Sequence, residues 1–322
     1  MTDSWRSLSP RRTARLRGDD EFRLFDGWTR GRTVHVRSAD DTRINTEVFG
    51  PEHGYPIVLC HGFCCGIRFW SNQIRDLAED YRVIAFDQRG HGFSESPARE
   101  AHTMECLADD LAAVLRSTLR PGERALIAGH SMGGIAIQHW ANHYPRDVAR
   151  YADSIALINT APGGPLDDAM ASGLRDRLTA LAKPAGDLLL EGLLGAPIPA
   201  RVPFGTGFLS PGSEAGPGVR ALINELVMTT PATTRRHFIH TLLRLRIDQI
   251  DRSRLTAPVL VIESTDDRLV PPPHARRLRE LLPNYLGSVR LPGGHCGPLE
   301  QPSTVTTALR GLALPAREAN SV

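Results

Sequence analysis

The sequence has almost no lysine, no long apolar run and few cysteines, and each shortage narrows the possible functions. Lys183 is the single lysine among 38 basic residues. The formal net charge of +2 gives no field strong enough to indicate a nucleic acid as the main partner. No run of about 18 apolar residues occurs, so we expect no membrane span. The N-terminus also lacks the apolar segment of a secretory signal, which favours a cytoplasmic location.

The cysteines do not indicate a disulfide-stabilised protein. There are five of them, an odd number, and a chain of 322 residues with 41% hydrophobic residues can bury a large core without cross-links. That length allows two domains or one large α/β domain with an insertion. The cysteines lie at the following positions: Cys60, Cys64, Cys65, Cys106 and Cys296.

Short apolar segments that alternate with helical patterns predict an α/β fold. Residues 33–36 and 44–48 alternate like half-buried strands and predict an antiparallel opening to the sheet. Further on, continuous apolar runs are typical of strands buried on both faces, as in a parallel sheet. Helical spacing between these runs favours layers of helices on a mostly parallel central sheet. The runs are 57–60, 83–86, 125–128, 155–158 and 259–262.

The alternation is interrupted once, which predicts the domain organisation. Between about 165 and 251 the sequence has helical pieces and Gly/Pro-rich joints but few strand signals, and we interpret it as an inserted helical lid. The core then comprises residues 31–164 and 252–322. Residues 1–30 are rich in Arg and Asp and are interpreted as an N-terminal extension.

The strongest chemical signal is the segment Gly129-His130-Ser131-Met132-Gly133, which fits the pattern G-x-S-x-G. It follows an apolar run and precedes a helical pattern, which is the context this motif requires. A sharp strand-to-helix turn needs residues without side chains around the serine, and it exposes the serine hydroxyl. We therefore predict that Ser131 is a nucleophile.

A serine nucleophile needs a base, and the base needs an orienting group. His295 lies in a turn after a short strand near the C-terminus and is the best base. An acid is expected earlier, after the strand at 259–262, where residues 263–268 include several carboxylates. The chain order serine, acid, histidine is the order of the α/β hydrolases.

Four motifs in the right order make the chain similar to the α/β-hydrolase superfamily from about Ile44 to Leu312. The superfamily implies a mostly parallel central sheet with flanking helices and an inserted lid. The four motifs are His61-Gly62-Phe63, the turn Asp87-Gln88-Arg89-Gly90-His91-Gly92-Phe93-Ser94, the serine motif at 129–134, and Gly294-His295 followed by Glu300-Gln301-Pro302.

The resemblance also implies roles for individual residues. It makes Ser131 the nucleophile, His295 the base and Asp267 the acid, with Asp266 as the alternative acid. The backbone N–H groups of Phe63 and Met132 are the implied oxyanion hole. No cofactor and no metal are implied. A serine rather than an aspartate at the turn argues against dehalogenase and epoxide hydrolase chemistry and for acyl transfer to water.

Three cysteines adjoin the implied site residues. Cys64 and Cys65 follow Phe63, and Cys296 follows His295. The simplest interpretation is that they serve as small hydrophobic residues. A thiol-sensitive enzyme is an alternative. A metal site is a weaker one, because adjacent cysteines do not match common zinc spacings.

The apolar residues of the predicted lid indicate a hydrophobic small-molecule substrate. Together with the serine nucleophile, they lead us to expect a hydrolase that cleaves a carboxylic ester or a related acyl bond through an acyl-enzyme. Alternatives on the same triad are a cofactor-free haloperoxidase or perhydrolase, a C–C bond hydrolase and an acyltransferase. A ligand receptor with little turnover is an alternative of another class. The sequence leaves the oligomeric state open. The lid residues are Leu188, Leu189, Leu190, Leu193, Leu194, Ile198, Val202, Phe204 and Phe208.

Overall fold

A computed structural model describes residues 30–163, 209, 211–213 and 215–319. These residues contain one eight-stranded sheet with the order β1-β2-β4-β3-β5-β6-β7-β8. The strands β1 and β2 are antiparallel to each other, β2 is antiparallel to β4, and every other pairing is parallel. The predicted antiparallel opening and mostly parallel sheet are confirmed. The strands are β1 (Arg32–Arg37), β2 (Arg43–Phe49), β3 (Pro56–Cys60), β4 (Arg82–Phe86), β5 (Ala125–His130), β6 (Ala152–Ile158), β7 (Val259–Ser264) and β8 (Tyr285–Leu291).

Helices cover both faces of this sheet. Thr103 is the N-cap of the helix at Met104–Thr118, because its side chain accepts a hydrogen bond from the Cys106 N–H. The α-helices among the described residues are α1 (Ser71–Leu77), α2 (Met104–Thr118), α3 (Met132–His143), α4 (Pro145–Tyr151), α5 (Pro217–Thr229), α6 (Ala232–Arg244), α7 (Pro272–Leu281), α8 (Gly297–Glu300) and α9 (Pro302–Ala319). None of these helices is both long and apolar enough to span a membrane.

The core consists of two apolar layers, one on each face of the sheet. Every residue of the central strands β3, β4 and β5 is buried, which explains their continuous apolar sequences. Successive residues alternate between the layers: Leu59 belongs to the layer that contains Trp70, and its neighbour Val58 belongs to the layer that contains Trp140. The sheet is thereby fixed from both sides, and the carboxyl ends of its parallel strands lie along one edge.

The interruption predicted between 165 and 251 contains helices α5 and α6, which lie between β6 and β7 in the chain. Leu222 and Phe238 from these helices join the apolar layer that contains Trp70. One of the helical pieces in this interruption, at 174–181, lies outside the described residues. The apolar lid residues at 188–208 also lie outside them, as does the predicted extension apart from Arg30. The division into extension, core and lid remains a prediction.

Candidate active site

Ser131 lies at the sharp turn between β5 and α3. Its backbone has φ 51° and ψ −121°, in the left-handed half of conformational space, which is costly for a residue with a side chain. The glycines of the motif explain how the turn fits. A Cβ at Gly133 would collide with the carbonyl oxygen of Cys60, and one at Gly129 would come within 2.7 Å of the Gly133 carbonyl oxygen. The motif therefore specifies close packing of the turn against the end of β3.

The turn is also held by hydrogen bonds from its neighbouring strand. The Ser131 N–H donates to the Ile158 carbonyl at 2.9 Å. The Thr160 hydroxyl donates to the Ser131 carbonyl at 2.7 Å. The last residue of β6 and a residue just after that strand thus fix the serine backbone, so the position of the hydroxyl does not depend on α3 alone.

The structure brings three of the predicted residues into one hydrogen-bonded line. His295 Nε2 lies 2.9 Å from Ser131 Oγ, and His295 Nδ1 lies 2.8 Å from Asp267 Oδ2. The imidazole is fully buried and the carboxylate is almost fully buried. Asp266 is exposed, and its carboxylate accepts from the Thr265 hydroxyl instead. Of the two aspartates, only Asp267 contacts His295.

The contacts of Asp267 determine what the histidine can do. Its Oδ1 accepts the Leu269 and Val270 N–H groups at 2.9 and 2.8 Å, which leaves Oδ2 directed at the imidazole. The Asp267 carboxylate can accept a hydrogen bond from His295 Nδ1 only if this nitrogen carries the hydrogen. The lone pair of Nε2 therefore faces the Ser131 hydroxyl. This is the tautomer in which a histidine can take a proton from a serine.

Asn159 is a residue of this site that the sequence interpretation missed. Its Nδ2 donates to Asp267 Oδ2 at 3.1 Å and to Ser264 Oγ at 2.9 Å. Its backbone has a positive φ of 45°, which asparagine tolerates better than most residues. The available signal was its place directly after β6, at the edge where the other site residues follow their strands.

The segment after β3, which we call the β3 loop (residues 61–66), lies against the serine. A Cβ on Gly62 would stand 3.1 Å from Ser131 Cβ and 2.7 Å from His130 Nδ1, so glycine permits this approach. Phe63 is buried and its ring meets His91 edge-on. Across the turn, Met132 is the first residue of α3, and an N–H in the first turn of a helix has no acceptor within the helix.

Two buried histidines hold the β3 loop through nitrogens that accept hydrogen bonds. His61 Nε2 accepts the Gln88 N–H at 2.9 Å, and His91 Nε2 accepts the Cys64 N–H at 3.2 Å. Their Nδ1 atoms face the Gly62 and Arg89 carbonyls and donate to them. Burial lowers the pKa of His61 to about 4 and that of His91 to about 3. Both rings are therefore neutral in neutral solution.

The segment that carries His295, which we call the β8 loop (residues 292–296), is held differently. His130 Nε2 donates to the His295 carbonyl at 2.8 Å, and the His130 ring stacks on Phe69. On the other side of the loop, the Glu300 carboxylate accepts the N–H groups of Gly294 and Cys296 at 2.9 Å each. The backbone is thus bound on both sides of His295.

The cysteines next to the site are buried and protonated. Burial raises the pKa of Cys64, Cys65 and Cys296 above the ordinary range of a thiol. A thiol with a raised pKa is a poor nucleophile and a poor metal ligand. This agrees with the interpretation of these residues as small hydrophobic groups. Within the described ranges, no group of three or more His, Cys, Asp or Glu is arranged to hold a metal ion.

A cavity of about 240 Å³ lies beside the β3 loop, between this loop, the turn at 87–93 and helix α5. Ile67, Phe93 and Leu226 supply its apolar wall. The charged groups at its rim are paired, since Arg68 binds Glu225 at 2.6 Å and Arg30 binds Glu47 at 2.8 Å.

Comparisons with known proteins agree with this architecture. Residues 55–302 match the sequence profile of a family described as "alpha/beta hydrolase fold". RutD from Caulobacter sp. strain K31, named as a candidate carbamate hydrolase, is 29% identical over 80% of this chain and 92% of its own length. A non-heme chloroperoxidase from Streptomyces lividans is 29% identical over 73% of this chain and 83% of its own. The structure of an esterase from Exiguobacterium antarcticum superposes with a TM-score of 0.71, covering 88% of this chain and 99% of the esterase, at 19% identity.

Proposed function

The chain belongs to the α/β-hydrolase fold family and is a hydrolase, and on this premise we propose that it cleaves a carboxylic ester or a related acyl bond of a hydrophobic small molecule. The observation that carries the proposal is the unbroken line from Ser131 Oγ through His295 to Asp267. A serine hydroxyl is a weak nucleophile on its own, and this arrangement supplies both the base and the group that orients the base.

In the first step, Ser131 Oγ attacks the acyl carbon while His295 Nε2 takes the hydroxyl proton. Asp267 holds the imidazole in the required tautomer and stabilises the imidazolium that forms. The tetrahedral intermediate then collapses, and His295 returns the proton to the leaving alcohol. Ser131 is left as an acyl ester.

The negative oxygen of the intermediate needs donors that are already in place. We assign this role to the backbone N–H groups of Phe63 and Met132. The support for Met132 is its place at the first position of α3, where the helix dipole also favours negative charge. The support for Phe63 is the close approach of Gly62, its chain neighbour, to Ser131.

In the second step, water attacks the acyl-enzyme with His295 again as the base, and the acid leaves from Ser131. We further propose that residues 165–251 form a lid that surrounds the acyl group. The packing of Leu222 and Phe238 in the core supports this proposal, because it anchors the two described helices of that segment above the sheet. A cytoplasmic location is part of the same proposal.

A second candidate function uses the same residues. If hydrogen peroxide replaces water in the second step, the product is a peracid, which oxidises halide. The similarity to the chloroperoxidase from Streptomyces lividans favours this alternative. Halide-dependent bromination in acetate and peroxide, compared with ester hydrolysis by the same preparation, distinguishes the two.

The experiment is hydrolysis of p-nitrophenyl esters from acetate to palmitate by the wild type and by Ser131→Ala. We expect a chain-length optimum in the wild type and no activity above background in the variant. Ser117→Ala, on the exposed face of α2, is the matched control and should behave as wild type. A wild type inert on every ester, or an equally active Ser131→Ala, would overturn the proposal.

A further inference from the structure

The Glu300 carboxylate, at the end of α8, accepts hydrogen bonds from three backbone N–H groups. Its Oε2 accepts from Gly212 at 2.7 Å and from Gly294 at 2.9 Å, and its Oε1 accepts from Cys296 at 2.9 Å. In the described part of the chain, this carboxylate forms no hydrogen bond with Ser131, His295 or Asp267. The proposed mechanism gives Glu300 no role, although it is the main acceptor at the β8 loop.

Two of these donors flank the proposed base. Gly294 and Cys296 precede and follow His295 in the chain, so one side chain fixes the peptide groups on both sides of the imidazole. The third donor, Gly212, belongs to the stretch that leads into α5. Glu300 therefore joins the β8 loop to a segment that lies outside the sheet and 88 residues earlier in the sequence.

The backbone around the carboxylate forms a fitted socket. A Cβ on Gly212 would stand 2.7 Å from Glu300 Oε2 and 2.8 Å from the Gly294 nitrogen. Gly293 has a φ of 107°, and a Cβ there would stand 2.8 Å from the same oxygen. Glycine at both positions lets two backbone segments approach one carboxylate, which side chains would prevent.

The segment that supplies Gly212 is itself anchored. Arg220 Nη2 donates to the Gly212 carbonyl at 2.7 Å, and Arg220 Nε donates to the Ala215 carbonyl at 2.9 Å. The first turn of α5 thus holds this segment in the place where its N–H meets Glu300. The contact between this segment and the β8 loop therefore depends on hydrogen bonds of both Arg220 and Glu300, and not on one hydrogen bond.

We propose that Glu300 is a positioning residue. It orients His295 toward Ser131 and links this orientation to the segment that leads into α5. The proposal rests on the proposed function. Three donors need an acceptor with several lone pairs, and a carboxylate has about four. The amide of glutamine has one acceptor oxygen and an NH₂ group that would face an N–H. Glu300→Gln keeps the size of the side chain and removes this capacity.

The first test compares kcat and KM of Glu300→Gln and the wild type on the best p-nitrophenyl ester. Active sites are counted by the burst of p-nitrophenol from diethyl p-nitrophenyl phosphate, so that misfolded protein does not enter kcat. We expect kcat per titrated site to fall about 10- to 100-fold, because small misplacement of a catalytic group has effects of this order. KM should stay within about twofold, since no contact with substrate is lost.

The matched control is Glu123→Gln. Glu123 also accepts a backbone N–H, from Arg120 at 2.7 Å, and it lies in the turn before β5, away from the site. We expect this variant to keep the wild-type kcat and KM per titrated site. Glu300→Gln with wild-type kcat, or with a raised KM at unchanged kcat, would overturn the proposal.

A second readout does not depend on ester turnover. The proton between His295 Nδ1 and Asp267 should give a downfield resonance in the free protein, assigned by its loss in Asp267→Asn. We expect it to shift in Glu300→Gln and not in Glu123→Gln. If the wild type hydrolyses no ester, the proposed function fails, and the positioning role is then tested by this resonance. A resonance that does not shift in Glu300→Gln would overturn the positioning role.

Discussion

The β3 loop and the β8 loop follow two parallel strands and meet at Ser131, yet they are held by opposite kinds of acceptor. The β3 loop depends on neutral imidazole nitrogens, since His61 accepts from Gln88 and His91 accepts from Cys64. The β8 loop depends on a carboxylate, Glu300, that accepts two of its N–H groups. The same task of fixing a loop backbone is thus assigned to groups that respond to pH in different ways.

The difference has a direct physical consequence. A protonated imidazole has no acceptor, so the Cys64 N–H would then face an N–H of His91, and the Gln88 N–H would face one of His61. Burial resists this protonation by lowering the pKa of both rings, at the expense of stability in acid. Among the described residues, no imidazole accepts a hydrogen bond from the β8 loop. We therefore expect acid to disturb the β3 loop first.

The largest effect is expected at the contact between His295, in the β8 loop, and Asp267, which follows β7. Asp267→Asn should lower kcat by about 10³- to 10⁴-fold, because the amide favours the wrong tautomer of His295. Asp266→Asn is the matched control and should keep nearly wild-type activity, since its carboxylate is exposed and accepts from the Thr265 hydroxyl, away from His295. Parallel steady-state kinetics provide the measurement, and an equal loss in both variants would contradict the assignment.

The free energy of unfolding in mild acid tests the predicted difference between the β3 loop and the β8 loop. Both histidines have a lower pKa in the folded protein than the ordinary value of 6.5, so their contribution is complete above about pH 6.5 and is lost as the pH falls toward 4. Well below pH 6.5, each such histidine lowers the unfolding free energy by about 1.4 kcal/mol per pH unit. Urea unfolding between pH 7.5 and 5 measures the total slope, to which the buried His102, His130 and His139 also contribute because burial lowers their pKa.

The variant His61→Gln tests the origin of that slope. Glutamine retains an acceptor for the Gln88 N–H and does not titrate, so the variant should lose about one proton's share of the pH dependence. His35→Gln, on the exposed side of β1, is the matched control and should retain the wild-type slope. Identical slopes in His61→Gln and the wild type would refute the role assigned to this ring.

A smaller effect is expected from removing only one acceptor of the β3 loop. His91→Phe keeps a ring against Phe238 but leaves the Cys64 N–H without its partner. We expect kcat to fall about 10-fold, less than the 10²- to 10³-fold typical of a lost oxyanion donor, because the loop is loosened and not removed. His102→Phe packs on the same Phe238 ring without contacting the loop and is the control. Equal kcat in both variants would count against the assignment.

The sequence predicted the parts of the site that are determined locally. The turn at Ser131 follows from glycines at fixed spacing beside a strand and a helix, and the mostly parallel sheet follows from the apolar runs. Asp267 was separated from Asp266 only by resemblance, and the contact with His295 now favours it on geometry. The expectation of small hydrophobic cysteines also agrees with their burial.

The contacts that support the proposed catalytic residues could not be predicted from the sequence, because they join segments that are far apart in the chain. Asn159 and Asp267 are 108 residues apart, and Gly212 and Glu300 are 88 residues apart. No periodic pattern links residues at such separations, since their contact depends on the order of the strands in the sheet. Glu300 was noted as part of a family motif, but the three N–H groups that it accepts became visible only in the structure.

The proposed mechanism depends first on Ser131 as the group that becomes acylated. Treating the wild type and Ser131→Ala with diethyl p-nitrophenyl phosphate, and then mapping the modified peptide by mass spectrometry, tests this claim. We expect one diethylphosphoryl group on Ser131 in the wild type and none in the variant. Modification at another residue, or equal modification of Ser131→Ala, would contradict it.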